Sequence, residues 1–392
     1  MNENKTTAKL ALLSISLLLT SANAVNGALP MMKKAMHLSA TQSELITTIS
    51  SIAVVIMVLL SATIARVIGT KRTVALGLLL VGVAGIVPMF VSNYELILVS
   101  RVALGAGFGI FNSLAVSMIQ VLYSGNTRAS MLGFRSSAEP VGQAVMTIIA
   151  GLLMMISWHM SFAVYLIAFP ILFLFWKKAP DVDHFQKEDP KDIMQGAPVD
   201  THHYPAKTSP LVWLFVAFCI ILMSNIVAMN VRFPQITAGI MGTQFNSSNI
   251  LAVMPILGII AGMLFGWVNK HLGKGTFYLG IIIFVLADLL VAFSAGNFGM
   301  LTIGFFLSGI PGSLIIPFIF NSLPKYAPKK AQAFAASMMI VGFNIGSFLT
   351  PFFLRGIEIV LGSTVLTAPF SFLAGLMLVI GLGSVIGARM VK

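Results

Sequence analysis

Apolar stretches long enough to cross a lipid bilayer recur along the whole chain, and they constrain its fold more than any other feature. A spanning helix needs about 20 apolar residues for a hydrocarbon core of about 30 Å. Runs between polar breaks predict spans at 8–31, 43–65, 73–92, 96–118, 129–156, 160–176, 210–233, 248–268, 276–295, 298–322, 332–354 and 364–388. Hydrophobic residues make up 57% of the 392, with a mean hydropathy of +0.95, beyond the roughly 45–50% apolar share of soluble domains. The runs lack the in/out alternation over about 10 residues that marks barrel strands. The expected fold class is therefore all-α integral membrane, with 12 transmembrane helices that satisfy their own backbone polar groups.

The polar stretch between the sixth and seventh spans divides the chain. It holds six of the 12 acids, Asp181, Asp183, Glu188, Asp189, Asp192 and Asp200, and reads as a solvated linker. The expected domains are an N-terminal six-helix half (1–176), a linker (177–208) and a C-terminal six-helix half (209–392). The halves align at an offset of 204 residues. Asn26 and Pro30 fall on Asn230 and Pro234, Gly69 on Gly273, Gly105 on Gly309 and Gly142 on Gly346. A duplicated unit predicts a pseudo-twofold axis along the membrane normal and a site between the halves near the midplane.

The formal charge of +12 is a topology signal in such a chain and not a sign of a nucleic-acid partner. Of the 24 Lys and Arg, Arg101, Arg135 and Arg232 fall within spans, and Lys33, Lys34 and Arg355 fall in the loops on one side. The other 18 lie in the termini, the linker and the loops on the opposite side. Both termini and the linker are therefore expected in the cytoplasm, with the protein multi-pass in a cell membrane of the bacterial plasma type. The opening "MNENKTTAKLALLSISLLLTSANA" has the basic start and small-residue end of a cleaved signal peptide. Its apolar run continues through "VNGALPMM", whose Asn and Pro have partners in the seventh span, so it is expected to stay as the first span. Cys219 is the single cysteine and permits no intrachain disulfide.

The twelve spans, the long linker and the paired halves resemble the major facilitator superfamily over essentially the whole chain. The loop after the second span is similar to that family's Gly-x-x-x-Asp-Arg-x-Gly-Arg-Arg signature, with Ala62, Arg66, Gly69, Lys71 and Arg72 in register. The acidic position is Arg66 here and Lys270, followed by Gly273, in the second copy, so the charge pairing of that gate loop is not expected. Arg101, Gly105, Gly107 and Gly109 match the family's Arg-x-x-x-Gly-x-Gly pattern. "EPVGQ" resembles the family's antiporter signature in its proline and one displaced glycine, and the sixth span is similar in general appearance to drug-exporter members.

A charge at the bilayer centre costs about 2.5–3.5 kcal/mol on insertion scales, so each one needs a partner or a wet cavity. The candidates among the ionisable groups in spans are Arg101, Arg135, Glu139, Arg232 and Asp288. Glu139 lies near mid-depth of the fifth span, with Arg135 four residues before it on the same face and Gln143 one turn beyond. Burial and the guanidinium pull on its proton in opposite senses, which suits a proton-coupling carboxylate. The competing reading is a permanent ion pair that locks two helices. Pro140 frees the carbonyl of Ser136 and predicts a kink or soft point.

Arg101 cannot release its proton. The resemblance implies that it faces the cavity and takes part in proton coupling, and Asn112, 11 residues on, returns to nearly the same face; the competing reading is an arginine satisfied by helix carbonyls. Arg232 either snorkels to the headgroups or makes the cavity positive. Asp288 reads as a structural group or one facing a wet crevice. Asn23 and Asn26 share one helical face with Pro30. They join Asn112, Gln143, Asn225, Asn230, Arg232 and Asn344 as candidate substrate contacts, with interhelical hydrogen bonding as the alternative use of each Asn. No metal site is expected, because His159, His202 and His203 have no further ligand at suitable spacing.

These features imply a secondary transporter and not an enzyme. A phosphate loop, a catalytic triad and an appended soluble domain are all missing from the sequence. The leading expectation is proton-coupled export of amphipathic small molecules by antiport, driven by a proton gradient and without a cofactor, from a monomer in the lipid bilayer. The alternative is a transporter of small organic anions using Arg101, Arg135 and Arg232. Its distinguishing feature is whether those three arginines meet in one cavity.

Overall fold

The structure, a computed structural model, describes residues 3–182, 210–326 and 332–390. Residues 183–209, which hold most of the predicted linker, five of its six acids and the His202–His203 pair, lie outside the described residues, as do Lys329, Lys330 and Lys392. The spans are α1 (Thr6–Ser16 and Ser21–Ala35, bent by 47°), α2 (Ala40–Ile68), α3 (Thr70–Met89), α4 (Tyr94–Leu122), α5 (Gly125–Met154) and α6 (Met160–Lys178). After the linker come α7 (Val212–Met241), α8 (Ser248–Leu272), α9 (Gly275–Ala292), α10 (Phe298–Leu323), α11 (Phe334–Leu361) and α12 (Ala368–Val385). With α1 taken as one broken span, the count is the twelve that hydropathy predicts.

Local signals in the sequence set the helix ends. Ser39 and Gln42 form a capping box at the start of α2, satisfying amides that the first turn leaves open. Asn93 caps α4 through the Leu96 amide, and Asn297, 204 residues later, caps α10 through the Met300 amide. Gly69 and Gly273 terminate α2 and α8 at φ of 92° and 51°, a region that costs glycine little.

The repeat is equally visible in packing. A Cβ on Gly105 of α4 would strike the Ser50 carbonyl of α2, and one on Gly309 of α10 would strike the Met254 carbonyl of α8. Likewise Gly142 of α5 abuts the backbone of Leu17 in α1, and Gly346 of α11 abuts that of Ile220 in α7. Small residues let backbones approach this closely, which is how helices associate in lipid. The same pairs of helices thus pack through equivalent glycines in each half.

Two expectations about the spans need correction. The first span is not one helix, because residues 17–28 run as turns and short 3₁₀ pieces. "SANAVNG" is poor in helix formers, so Asn23, Asn26 and Pro30 do not share a regular helical face. By contrast, α5 runs continuously from Gly125 to Met154 with Pro140 inside it. The eleventh span also extends past its predicted end at 354 to Leu361, which moves Arg355 from a loop onto the helix.

Short connections make successive spans alternate in direction. The ends joined by 36–39, 90–93, 155–159, 242–247, 293–297 and 362–367 form one face, here the far end, and the opposite face is the linker end. The halves meet at the far end, where Asn246 donates to the Gly151 carbonyl (2.7 Å) and Ser248 packs on Gly27 and Gly151. At mid-depth Ser51 of α2 donates to Ser347 of α11 (2.8 Å). Toward the linker end, α5 is exposed along most of residues 125–137, and a Cβ on Gly133 would touch nothing. The cleft between the halves therefore opens at the linker end.

Candidate functional site

Arg135 and Glu139 project from one face of α5 and pair at 3.1 Å. Their side chains remain 13% and 26% exposed, so the pair is neither dry nor sealed. Arg135 also donates to the amide oxygen of Asn112 on α4, while its Nε has no partner among the described residues. Thr20, in the break of α1, donates to the Glu139 carbonyl at 3.0 Å. Gln143, half-buried, stands one turn further along the same helix. Arg135, Glu139 and Gln143 lie along one helix as their spacing predicts, and Asn112, which spacing assigns to the face of Arg101, is instead the cross-helix partner of Arg135. A guanidinium with a spare donor, a carboxylate and an amide can bind an anionic group and a proton at one place.

Arg101 does not belong to this group. It is fully buried and holds the broken segment of α1. Its Nη2 donates to the Ala22 carbonyl (2.8 Å), its Nε to the Ile46 carbonyl (3.2 Å) and its Nη1 to the Tyr165 hydroxyl (3.0 Å), which in turn donates to the Ser21 carbonyl. The Tyr165 ring also lies beneath the guanidinium, 5.4 Å away. Carbonyls released by an irregular backbone at membrane depth need donors, and Arg101 supplies them. The cavity-facing place that the resemblance implies for Arg101 gives way to this internal brace.

Arg232 neither snorkels nor lines the cleft. It is wholly buried on α7 near the far end, its Nε paired with Glu44 Oε1 of α2 and its Nη1 with Glu358 Oε1 of α11 at 2.7 Å. Glu358 also takes Arg355 at 3.3 Å. Gln235, one turn on from Arg232, donates to Glu44 (3.3 Å) and accepts from Lys33 of α1 (3.4 Å). Glu44 and Lys33 belong to the first half, and Arg232, Gln235 and Glu358 to the second. Glu44, Glu358 and Gln235 are absent from the sequence-based set. Only six of the 12 acids lie outside the linker, and that scarcity alone marks Glu44 and Glu358.

The remaining candidates disperse. Asn225 is buried and donates to Asp288 Oδ2 at 2.8 Å, so Asp288 has the structural partner expected of it and Asn225 does not face the cleft. Asn230 and Asn344 bond to carbonyls four residues back in their own helices, those of Ile226 and Ile340. Asn26 is buried with both amide atoms unpaired among the described residues, and Asn23 is half-buried beside it. In the gate loops Arg66, Arg72 and Lys270 are exposed and, among the described residues, form no ion pair, while Lys71 lies over the Trp176 ring. Their missing acid is thus reflected in the structure. Groups of three or more His, Cys, Asp or Glu able to hold a metal are absent among the described residues.

Comparison with known proteins places these features in a lineage. The chain is 26% identical over 271 residues to the hexuronate transporter of Bacillus subtilis (strain 168), covering 66% of this chain and 63% of that protein. It is 28% identical over 121 residues to the probable nitrate transporter NarT of Staphylococcus carnosus (strain TM300), 30% of this chain and 31% of the relative. The chain thus matches less than two thirds of the length of either. Among solved structures, the peptide transporter POT in complex with sulfate superposes with a TM-score of 0.75 at 15% identity, covering 98% and 94% of the two chains. The D-xylose–proton symporter superposes at 0.69 with 14% identity, covering 95% and 96%. These two likenesses show the fold alone. Residues 11–287 match the model of the Major Facilitator Superfamily, well over half of the chain, and the protein is a multi-pass membrane protein that belongs to this family.

Proposed function

We propose that the protein is a secondary transporter of small anions, with carboxylated sugars as the first class to test, and that proton and anion move in the same direction. The observation that carries this is the Arg135–Glu139 pair with Asn112, partly exposed in a cleft that opens at one end. A solute carboxylate and Glu139 compete for one guanidinium. Protonating Glu139 removes the competitor, so the proton and the anion favour each other's binding, which is the linkage that symport requires. Two relatives named for anionic solutes support the anion class.

Arg101 and Arg232 are committed elsewhere, which leaves Arg135 as the arginine of the anion site. Alternating access would come from rocking of the halves, with the Glu44–Arg232 contact holding the far end closed while the linker end is open. The excess of Lys and Arg on the linker side supports a cytoplasmic linker end and a monomer oriented with both termini inside. The proton gradient supplies the energy, and no cofactor or nucleic acid enters the cycle.

The test uses purified protein in liposomes that enclose a pH-sensitive dye, with D-glucuronate added outside. Uptake accompanied by acidification of the lumen is expected. Glu139→Gln should retain exchange of labelled glucuronate and lose the proton movement, while Arg135→Gln should lose both. Alkalinisation of the lumen during uptake would instead establish antiport and overturn the symport assignment.

A further inference from the structure

A second cavity lies outside the central cleft. It opens at the far end between the last turns of α1 and the far-end stretch of α7, with a volume of about 430 Å³, within the range of about 300–1,000 Å³ typical of small-molecule sites. Lys33, Lys34 and His37 line it from one half, and Gln235 and Thr243 from the other. Among the described residues no carboxylate lines it. The two acids nearby, Glu44 and Glu358, are buried behind Gln235 and already paired with Arg232. The cavity is therefore cationic on one wall and has hydrogen-bonding groups on the other. His37 adopts a left-handed backbone (φ 53°) just past the end of α1, a place where glycine is the low-cost occupant. An imidazole thus stands in the cavity wall despite the backbone cost.

The floor of this vestibule is wired to the closed end of the cleft. Lys33 donates to Gln235, Gln235 donates to Glu44, and Glu44 pairs with Arg232. Each of these contacts joins one half to the other. We infer that the vestibule is a docking site for a small carboxylate anion, and that its occupancy favours separation of the halves at the far end. An anion that engages Lys33 and Lys34 draws Lys33 from Gln235 and places negative charge beside Glu44, weakening two cross-half contacts. Parting the halves then offers the anion a further donor, Arg232 Nη2, which is buried without a partner among the described residues in the closed arrangement. The anion thus binds the open far end more tightly than the closed one, which is the condition for it to shift the equilibrium.

This inference rests on the anion reading above, and the experiment separates the two. The full chain, in lipid nanodiscs, carries a fluorophore pair at Glu95→Cys on α4 and Thr364→Cys between α11 and α12. Both positions are exposed, and the native Cys219 is buried. Energy transfer is read while D-glucuronate is added, with potassium chloride at equal ionic strength as the control. The label separation should increase saturably, and the increase should persist in Arg135→Gln, which removes the central site. Lys33→Gln combined with Lys34→Gln should raise the glucuronate concentration for half-maximal response about tenfold or more, as expected for lost charge-assisted contacts. No response in the parent, an equal response to chloride, an unchanged midpoint in the double variant, or loss of the response in Arg135→Gln would each overturn the docking site. A far-end response without glucuronate uptake would leave the docking site standing while the transport reading fails.

Discussion

The protein contains two arginine–carboxylate sites built from the same chemistry and placed in opposite circumstances. Arg135 and Glu139 sit on one helix, within one half, partly open to the cleft. Arg232 is fully enclosed, and its carboxylate partners come from different halves, Glu44 from the first and Glu358 from the second. An ion pair with access to water can exchange its partners at small cost. A dry one is costly to break, because a buried charge is stranded. The first arrangement suits binding and release, and the second suits a latch. Arg232 also keeps Glu358 from its own half if Glu44 departs, so opening the far end need not strand the guanidinium.

The contrast is sharpest in stability. Arg232→Gln leaves Glu44 and Glu358 facing each other in a dry interface, with Gln235 donating to Glu44 and the half-exposed Arg355 beside Glu358. A loss of about 3–5 kcal/mol is expected for a buried charge deprived of its partner, read as the midpoint of unfolding in mixed micelles. A loss below 1 kcal/mol would show that the cluster is wet and that the two sites do not differ in kind.

Glu44→Gln should be milder, since Arg232 retains Glu358. Its effect is expected on the balance between conformations. Ser248 is buried where the halves meet, against Gly27 and Gly151, so Ser248→Cys reports opening of the far end to a membrane-impermeant maleimide. Adding Glu44→Gln should raise the labelling rate about tenfold, corresponding to about 1.4 kcal/mol in favour of the open form. An unchanged rate would remove the latch role from Glu44.

These two sites also mark how far the sequence can be read. The Arg135–Glu139 pair is legible because helical periodicity places residues i and i+4 on one face, whatever the tertiary fold. The repeat is legible for a similar reason: a 204-residue offset carries Asn93 onto Asn297 and Gly105 onto Gly309, and each pair does the same local work in its half. The far-end cluster joins residues 44, 232 and 358, and nothing local connects them. Hydropathy also ended the eleventh span at 354, before Arg355 and Glu358, because charged residues at a helix end look like loop even when another helix neutralises them. The place of Arg101 is hard to read for a different reason. One of its partners is the Ala22 carbonyl in the break of α1 and another is the Ile46 carbonyl of α2, and backbone acceptors of this kind are revealed by no side-chain pattern.

The smallest expected effect separates charge from geometry. Arg135→Lys keeps the positive charge opposite Glu139 but replaces a planar fork with a point charge, so the ammonium cannot hold Glu139 and Asn112 in the bidentate manner of a guanidinium. Because the site is partly exposed, water takes up the lost hydrogen bond, and the unfolding midpoint should move by less than about 1 kcal/mol. Arg232→Lys makes the same chemical change in the closed cluster, where Arg232 Nε serves Glu44 and Nη1 serves Glu358. A single ammonium cannot reach both carboxylates along the same directions, and Arg232 and Glu44 are wholly buried, out of reach of bulk solvent as a replacement donor. That substitution should therefore cost more than its counterpart at 135 by at least about 1 kcal/mol. Equal costs at the two positions would mean that burial, and not the number of partners held, is immaterial to these arginines, and the division into exchangeable site and latch would fall.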